Sequence, residues 1–378
     1  MAESISIKEV TTKRDLRAWL KVPYTVFKND PFWVATPDIL EREQVSRKHN
    51  PFFTSGEAAF FVAYRGSEPV GRISAQINHR YLAQHQDETG HFGFFDCIDD
   101  KKVAEALVGA ATDWLRHRGM KRMMGPFCLS INEECGLLVS GFETTPSILT
   151  RHSRPWIGPL LETCGLNKSM DLFAYRASPA TSVPQIDRLA RLARETSRIK
   201  IRQFDMARYA DDVRIVFDIF NDAWRDNWGF VPFSDAEINA MITQTRPIMR
   251  GKFGRIVEVD GIPSAMMVAL PDLNRALAPF NGRLLPFNWL KLVHAVWSDR
   301  WKSARIPLLG IRQNLRRTAL APVILSLLVS EFMQLGRDYD LDWVEFSWVL
   351  EINEPMVKLA ELAAGPPSKV FRIYEVLV

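Results

Sequence analysis

The sequence predicts an α/β fold of the α+β kind: two tandem copies of one unit, each a mixed, mainly antiparallel sheet flanked by helices. Three observations carry this. The order strand, helix, strand, Ile-Asn-Glu occurs twice, from FGFFDCI to Ile131-Asn132-Glu133 and from Pro307–Ile311 to Ile352-Asn353-Glu354. Each helix of that order stops at a glycine, Gly119 in the first half and Gly336 in the second. Downstream, Glu162, Gly165, Lys168, Phe173 and Tyr175 recur as Glu361, Gly365, Lys369, Phe371 and Tyr374. Two motif matches in the same element order mark a duplicated supersecondary unit.

Composition sets the frame. With 378 residues, 47% apolar and 24% charged, the chain buries a large core and divides into two domains rather than one. No N-terminal stretch has the layout of a signal peptide, and no window approaches about 18 uninterrupted apolar residues. A cytoplasmic chain is the expectation. Cys97, Cys128, Cys135 and Cys164 lack paired metal spacing and read as reduced, buried thiols. The formal charge of +4 is too small to argue for nucleic acid, but it leaves room for phosphate-bearing ligands or an anionic membrane surface.

In chain order, two amphipathic helices open the first half, Asp15–Phe27 and Asp38–His49, the second begun by Pro37 with Thr36 as its cap. A hairpin follows from Ala59 to Asn78, turning at Gly66–Glu68. The loop carrying His79, His85 and His91 matches no tight metal pattern and reads as solvated; no metal is expected. Then come the strand FGFFDCI, a helix Lys101–Arg118 and a strand through MMGPFCLSI. The Ser, Thr and Pro-rich 178–183 sustains neither helical nor strand periodicity, so domains are expected at 1–177 and 184–378 with this linker between them. The second half opens with helices Pro184–Arg198, Asp211–Trp224 and Ser234–Thr245, the last with Ser234 and Glu237 as a capping box. A hairpin from Arg255 to Leu270 turns at Asp260-Gly261 and matches the first hairpin.

One segment has no counterpart. The insertion 273–306 carries Arg275, Arg283, Lys291, Arg300, Lys302 and Arg305 against one acid, Asp299, among many Trp, Phe and Leu residues. Rings at an apolar boundary with cations beside phosphates suit an interfacial membrane element or a cover for a greasy ligand; a helix packed on its own sheet shows the same spacing. After it, the strand Pro307–Ile311 meets a basic turn (Arg312, Gln313, Asn314, Arg316, Arg317, Thr318) and a helix with apolar Ile324, Leu327, Leu328, Phe332 and Leu335. Strand, basic turn and helix start present free N–H groups and a positive dipole end, which is a seat for an anion.

On GFFDCIDDKKVAEAL through RGMKRMMGPFCLSINEECGLLVSGF, and on EINEPMVKL with SKVFRIYE, the chain resembles the GNAT acyltransferase superfamily in a tandem bacterial form. That resemblance implies acyl-coenzyme A as co-substrate, bound where a central strand parts from its neighbour, with the pyrophosphate at the turn and helix start. The residues it assigns to the ligand are Leu309, Gly310, Ile311, Arg312, Asn314, Arg316, Arg317, Thr318, Ala319 and Asn353. Of the usual glycine-rich turn only Ala319 and the basic character survive, and arginines replace backbone donors. In the first half, Asp99-Asp100 stands at the same place and repels a pyrophosphate, so acyl-CoA is expected in the second half and another task, acceptor binding among them, in the first. A narrower similarity is to the bacterial ceramide synthases, which join a long acyl group to the amine of a sphingoid base.

For amide formation by direct attack, the protein supplies a base, an oxyanion donor and a proton for the thiolate. Candidates are Glu351, directly or through water, with Asn132, Glu133 and Glu134 at the matching place in the first half; His152, whose ordinary pKa suits proton transfer; and the phenols Tyr374 and Tyr175. Each has a structural alternative: Asn353 and Glu351 as caps of the helix opening at Glu354-Pro355, His152 as a satisfied loop histidine, Tyr374 as core. The expected partners are acyl-CoA and a long-chain amine lipid, with peripheral contact through 273–306 at the inner face of the cytoplasmic membrane. A small amine acceptor, or a non-catalytic binding protein on the same scaffold, are the rival readings.

Overall fold

A computed structural model describes residues 4–298 and 301–378. Arg300 and Asp299 of the insertion lie outside the described residues. The first half contains β1 (Ile5–Glu9), α1 (Lys13–Val26), α2 (Asp38–Gln44), β2 (Gly56–Arg65), β3 (Glu68–Asn78), α3 (His79–His85), β4 (Thr89–Cys97), α4 (Lys101–Arg116), β5 (Arg122–Gly125), β6 (Leu137–Ser140), α5 (Ile157–Thr163) and β7 (Asn167–Ala177). The second contains α6 (Pro184–Glu195), β8 (Ile199–Gln203), α7 (Tyr209–Trp224), α8 (Asp235–Thr245), β9 (Gly254–Val259), β10 (Ile262–Pro271), α9 (Asn274–Leu277), α10 (Asn288–Trp297), β11 (Ser303–Ile311), α11 (Gln313–Arg316), α12 (Leu320–Asp338), β12 (Trp343–Leu350), α13 (Glu354–Ala364) and β13 (Lys369–Leu377). The expected α/β class with mainly antiparallel sheets is what forms.

Two compact units result: Met1–Phe173 with Asn274–Leu292 and Lys369–Val378, and Ala174–Leu273 with Val293–Ser368. Sequential order and spatial grouping therefore differ in two segments. The last strand belongs with the first unit because Tyr374–Leu377 pair antiparallel with Gly125–Arg122.

In unit 1 the strands run β1-β2-β3-β4-β5-β13, with β6 also on β13. All pairs are antiparallel except β4 with β5. Both faces of this sheet are covered, so β2 is apolar on both sides of its alternation. Ala59, Phe61 and Ala63 enter the core under α4, while Ala58, Phe60 and Val62 enter the core under α1. In unit 2 the order is β12-β11-β10-β9-β8, with β11 and β12 parallel. Asp260 and Gly261, both at positive φ, close the β9–β10 hairpin, as the Asp-Gly pair predicts.

Local chemistry explains most boundaries and several departures. Ser234 accepts from Glu237 N–H and Glu237 reaches back to Ser234 N–H, the expected capping box. Thr36 caps nothing in α2, whose N-cap is Pro37 and which ends at Gln44 rather than His49. The histidine loop is in part a helix, α3, because Asn78 accepts from the N–H groups of Arg80 and Tyr81. The strand through MMGPFCLSI ends at Gly125, where Pro126 removes a donor. The helix expected to reach Arg198 stops at Glu195, and β8 follows.

Gly336 does not end its helix. α12 runs to Asp338, and Gly336 is there because a Cβ would lie 2.5 Å from Pro179 Cγ. With a mean hydropathy of 1.3 over 18 residues, α12 passes a length and composition test for crossing a membrane. It is 61% buried over that window and packs against α6, β10 and β11, as the core helix of unit 2 does.

Candidate active site

The site grows from a fork in the sheet of unit 2. β11 and β12 pair in parallel over Ser303–Ile306 and Trp343–Phe346 and then part. β11 continues to Ile311 held by β10 alone, through Leu308, Leu309, Gly310 and Ile311. An extra residue on β11 opposite Ala269, at Ile306–Pro307, bends the strand where the fork opens, as a bulge does. Past the fork, one edge of 307–311 is left without a β12 partner. Leu309 is half-buried on that strand, Ile311 is buried, and Gly310 leaves room for the Trp224 ring, which a Cβ would approach to 2.3 Å.

A buried polar cluster stands at the crotch. Arg305 donates to Ser347 Oγ at 2.8 Å and to Ser347 O at 3.3 Å, and its guanidinium lies 4.3 Å from the Trp348 ring. Ser347 donates to Glu345 Oε1 at 2.8 Å, and Arg176 donates to Glu345 Oε2 at 3.1 Å. This cluster escaped the sequence reading, although a lone Arg inside the apolar SARIPLLGI was a visible signal.

At the mouth of the fork the basic turn divides into two parts. Arg312, expected to face a diphosphate, instead donates to Pro263 O at 2.8 Å and pairs with Asp218. These two bonds use two of the five guanidinium N–H donors and tie the side chain to β10 and α7. α11 is likewise sealed, because Asp222 accepts from Gln313 N–H at 2.9 Å. Arg317, Asn314, Thr318 and Ala319 are exposed. Arg316 is exposed overall, yet burial of its guanidinium pulls its pKa down, opposed by Asp222 and Asp226. α12 starts at Leu320 with Ala319 as an N-cap that offers no side-chain acceptor. Thr318 Oγ1 accepts from Leu320 N–H at 3.3 Å. This 19-residue helix has no acidic residue in its first turn, so no carboxylate there offsets its positive end.

Unit 1 has the same fork, and it is filled. β4 and β5 pair in parallel only over Thr89–His91 and Arg122–Met124, and β4 bulges at Phe94–Phe95 opposite Ile73. Beyond the last pair, Phe127 N–H donates to Phe92 O at 2.8 Å and Gln76 donates to Phe127 O at 2.7 Å. Gly93 and Gly125 permit that closeness: a Cβ on Gly93 would lie 1.7 Å from Phe127 O, and on Gly125 2.2 Å from Phe92 O. Only about 20 Å³ remains between Phe94, Asp96, Cys128, Glu134, Arg151 and His152, room for a water. The helix start is closed as well. Asp100 caps α4 through Lys102 N–H at 2.8 Å and pairs with Arg65.

The filling is a buried ion cluster. Arg72 holds Asp96 at 2.7 Å and Glu41 at 2.8 Å, and Arg151 holds Glu134 at 2.6 Å and Glu41 at 3.4 Å. Burial pushes the Glu41 carboxyl up, but Arg72 and Arg151 outweigh it and keep it below the usual range. His152 Nε2 meets Asp30 at 3.1 Å, while its buried Nδ1 has no hydrogen-bond partner among the described residues. Burial lowers the His152 pKa, against the pull of Asp30.

His91, at the last parallel pair of this fork, is buried against Tyr81 and Phe127, and burial lowers its pKa from 6.5 to about 3. The fold thus holds it neutral while the unfolded chain protonates near pH 6.5. Its stability contribution is full above that pH and falls by about 1.4 kcal/mol per unit as pH drops toward 3. The urea midpoint at pH 5 is expected below that at pH 7.5, and His91→Gln should flatten this slope.

Of the catalytic candidates, the structure brings Glu134 and His152 together in the filled fork of unit 1. Asn132 lies in the turn before them, its N–H donating to Ser130 Oγ at 3.2 Å. Glu351 belongs to unit 2, in the turn directly after β12, and Asn353 is the N-cap residue of α13 without a side-chain cap bond. Tyr374 pairs with Gly125 inside the sheet of unit 1 and donates to Glu162 at 3.2 Å, and burial with Glu162 pushes its pKa to about 12. A phenol so placed is a structural tie.

No family model matches the chain. Among solved structures, a tandem GNAT protein from the clavulanic acid biosynthesis pathway superposes with a TM-score of 0.59 at 11% identity, covering 99% of this chain and 98% of that one. A GCN5-related N-acetyltransferase from Sphaerobacter thermophilus gives 0.53 at 12% identity, covering 99% and 95%. The fold is that of the tandem GNAT proteins. Among curated proteins, the bacterial ceramide synthase of Caulobacter vibrioides (strain NA1000 / CB15N) is 38% identical over 375 residues, 98% of this chain and 97% of the relative. Protein YghO of Escherichia coli (strain K12) is 35% identical over 371 residues, 98% and 94%. The chain belongs to the bacterial ceramide synthase family, within the tandem GNAT acyltransferases.

Proposed function

We propose that this acyl-CoA-dependent N-acyltransferase moves a fatty acyl group to the amine of a sphingoid base, and that the thioester lies in the fork of unit 2. The observation that carries the reading is the pairing of β11 and β12, which stops at Ile306 and Phe346 while β11 runs on toward α12, whose first turn has no acidic residue. The free edge of 307–311 offers backbone groups to the amides of a pantetheine arm. The start of α12, with Arg316 and Arg317, offers charge to the diphosphate. Unit 1 offers neither, its fork being filled and its helix start held by Asp100.

The reaction needs one bond made and one broken. The neutral amine attacks the thioester carbonyl, the tetrahedral oxyanion collapses, the carbon–sulfur bond breaks, and the proton lost by nitrogen balances the one gained by the thiolate. Glu351, at the end of the strand that borders the fork, is the base in this reading, directly or through water. The exposed stretch 283–297 of the insertion holds the chain against the inner face of the membrane, where both lipid substrates reside.

Free-thiol release from palmitoyl-CoA on adding sphinganine tests the reading. Sphinganine-dependent release with formation of the N-acyl product is expected. Release with small amines alone, or acyl-CoA binding without turnover on any amine, contradicts it. Replacing both Arg316 and Arg317 by Ala is expected to raise KM for acyl-CoA about thirtyfold, as loss of charge-assisted bonds worth about 2 kcal/mol would.

A further inference from the structure

The apolar side chains that unit packing leaves uncovered concentrate in one short element. Leu285, Phe287 and Trp297 are 72%, 69% and 73% exposed, and Trp289, Leu290 and Val293 are exposed with them. On α10, Trp289, Leu290, Val293 and Trp297 fall on one stripe about 100° wide, since successive residues turn by about 100°. Val296, beside that stripe, is buried and fixes which way the stripe faces. Leu285 and Phe287 lie on the turn that enters the helix, and Trp289 Nε1 donates to Pro286 O at 3.1 Å, tying the turn to the helix. An exposed run of this kind is not an ordinary surface.

Charge decides among occupants. From Asn274 to Ser298 the sequence has no Asp or Glu, while Arg283, Lys291 and His294 are exposed in it. A second copy of the chain would bring the same cations to the contact and gain nothing to pair them with. An anionic lipid surface supplies both what the stripe and the cations lack, an apolar layer for the rings and phosphates for the charges.

We infer that Leu285–Trp297 is a membrane-docking wedge that seats the rings at the headgroup boundary of an anionic leaflet, with Arg283, on the turn that enters the helix, on the lipid phosphates. The inference deepens the membrane placement proposed above, and its readout needs no turnover, so it stands or falls apart from the reaction. Flotation of the full chain is measured with phosphatidylcholine vesicles and with vesicles containing 30% phosphatidylglycerol. Wild type is expected to float with the anionic vesicles and to lose binding as salt is raised. Phe287→Asp with Trp297→Asp should abolish flotation, while Arg283→Gln should weaken it on the order of fivefold on anionic vesicles and Lys291→Gln, on the far side of the helix from the stripe, should change it less. Because these side chains are exposed, melting temperatures should stay at the wild-type value. Equal binding to both vesicle types, binding unchanged in the double Asp variant, or a wild-type dimer that becomes a monomer in that variant would each overturn the wedge.

Discussion

Arg72→Met is expected to destabilise unit 1 by roughly 3–5 kcal/mol, the cost of leaving buried carboxylates without their cation. Arg72 is 1% exposed and lies between Glu41 and Asp96, both also buried, with the Trp19 ring 5.0 Å from its guanidinium. Methionine fills much of the same space, so the loss reports the charges rather than a cavity. Pairing Arg72→Met with Glu41→Gln and Asp96→Asn should recover most of it, since no uncompensated charge then remains. Urea denaturation of the single and triple variants measures this. A loss under 1 kcal/mol for the single variant would mean that water reaches the cluster.

Glu351→Gln is expected to lower kcat by about 10²–10⁴-fold with little change in KM for acyl-CoA, the range a positioned general base supplies. The carboxylate stands in the turn that ends β12, on the strand bordering the fork, whereas Glu134 and His152 are built into the filled fork of unit 1. If the base assignment is right, the residual rate of the glutamine variant rises with pH as bulk deprotonation of the amine takes over. Parallel loss of stability in that variant would assign Glu351 to the cap of α13 instead. Glu134→Gln, by contrast, should act through stability, because its partner Arg151 also supports Glu41.

Much of the fold could be read from local chemistry. Hairpins announce themselves through alternation and an Asp-Gly turn, and α8 through Ser234 and Glu237, because those signals are contained within a few residues. What escaped depends on contacts from far along the chain. Gly336 looks like a stop and is instead a close approach to Pro179, over 150 residues earlier in sequence. β8 was lost because five residues, IKIRQ, follow a helix after only three residues and alternate too briefly to break its pattern.

The site divides along the same line. That a basic turn joins a strand to a helix start at the end of β11 was legible; Asp99-Asp100 read as a pair that repels a pyrophosphate, whereas the capping of α4 by Asp100 depends on the fold. That Arg312 pairs with Asp218 was not, since α7 brings that carboxylate from 94 residues earlier. The bulges at Phe94–Phe95 and Ile306–Pro307 leave no mark in a single strand; they exist only relative to β3 and β10. Each sits on the strand that carries its unit's parallel pairing, directly at the last parallel pair in unit 2 and three residues beyond it in unit 1.

Calorimetric titration of a non-hydrolysable acyl-CoA analogue into wild type and into Arg316→Ala/Arg317→Ala addresses the placement of the thioester most directly. One site per chain is predicted, weakened about thirtyfold in the double variant and unchanged by Asp100→Ala in the other unit. Two sites per chain, or wild-type affinity in the arginine variant, would contradict it.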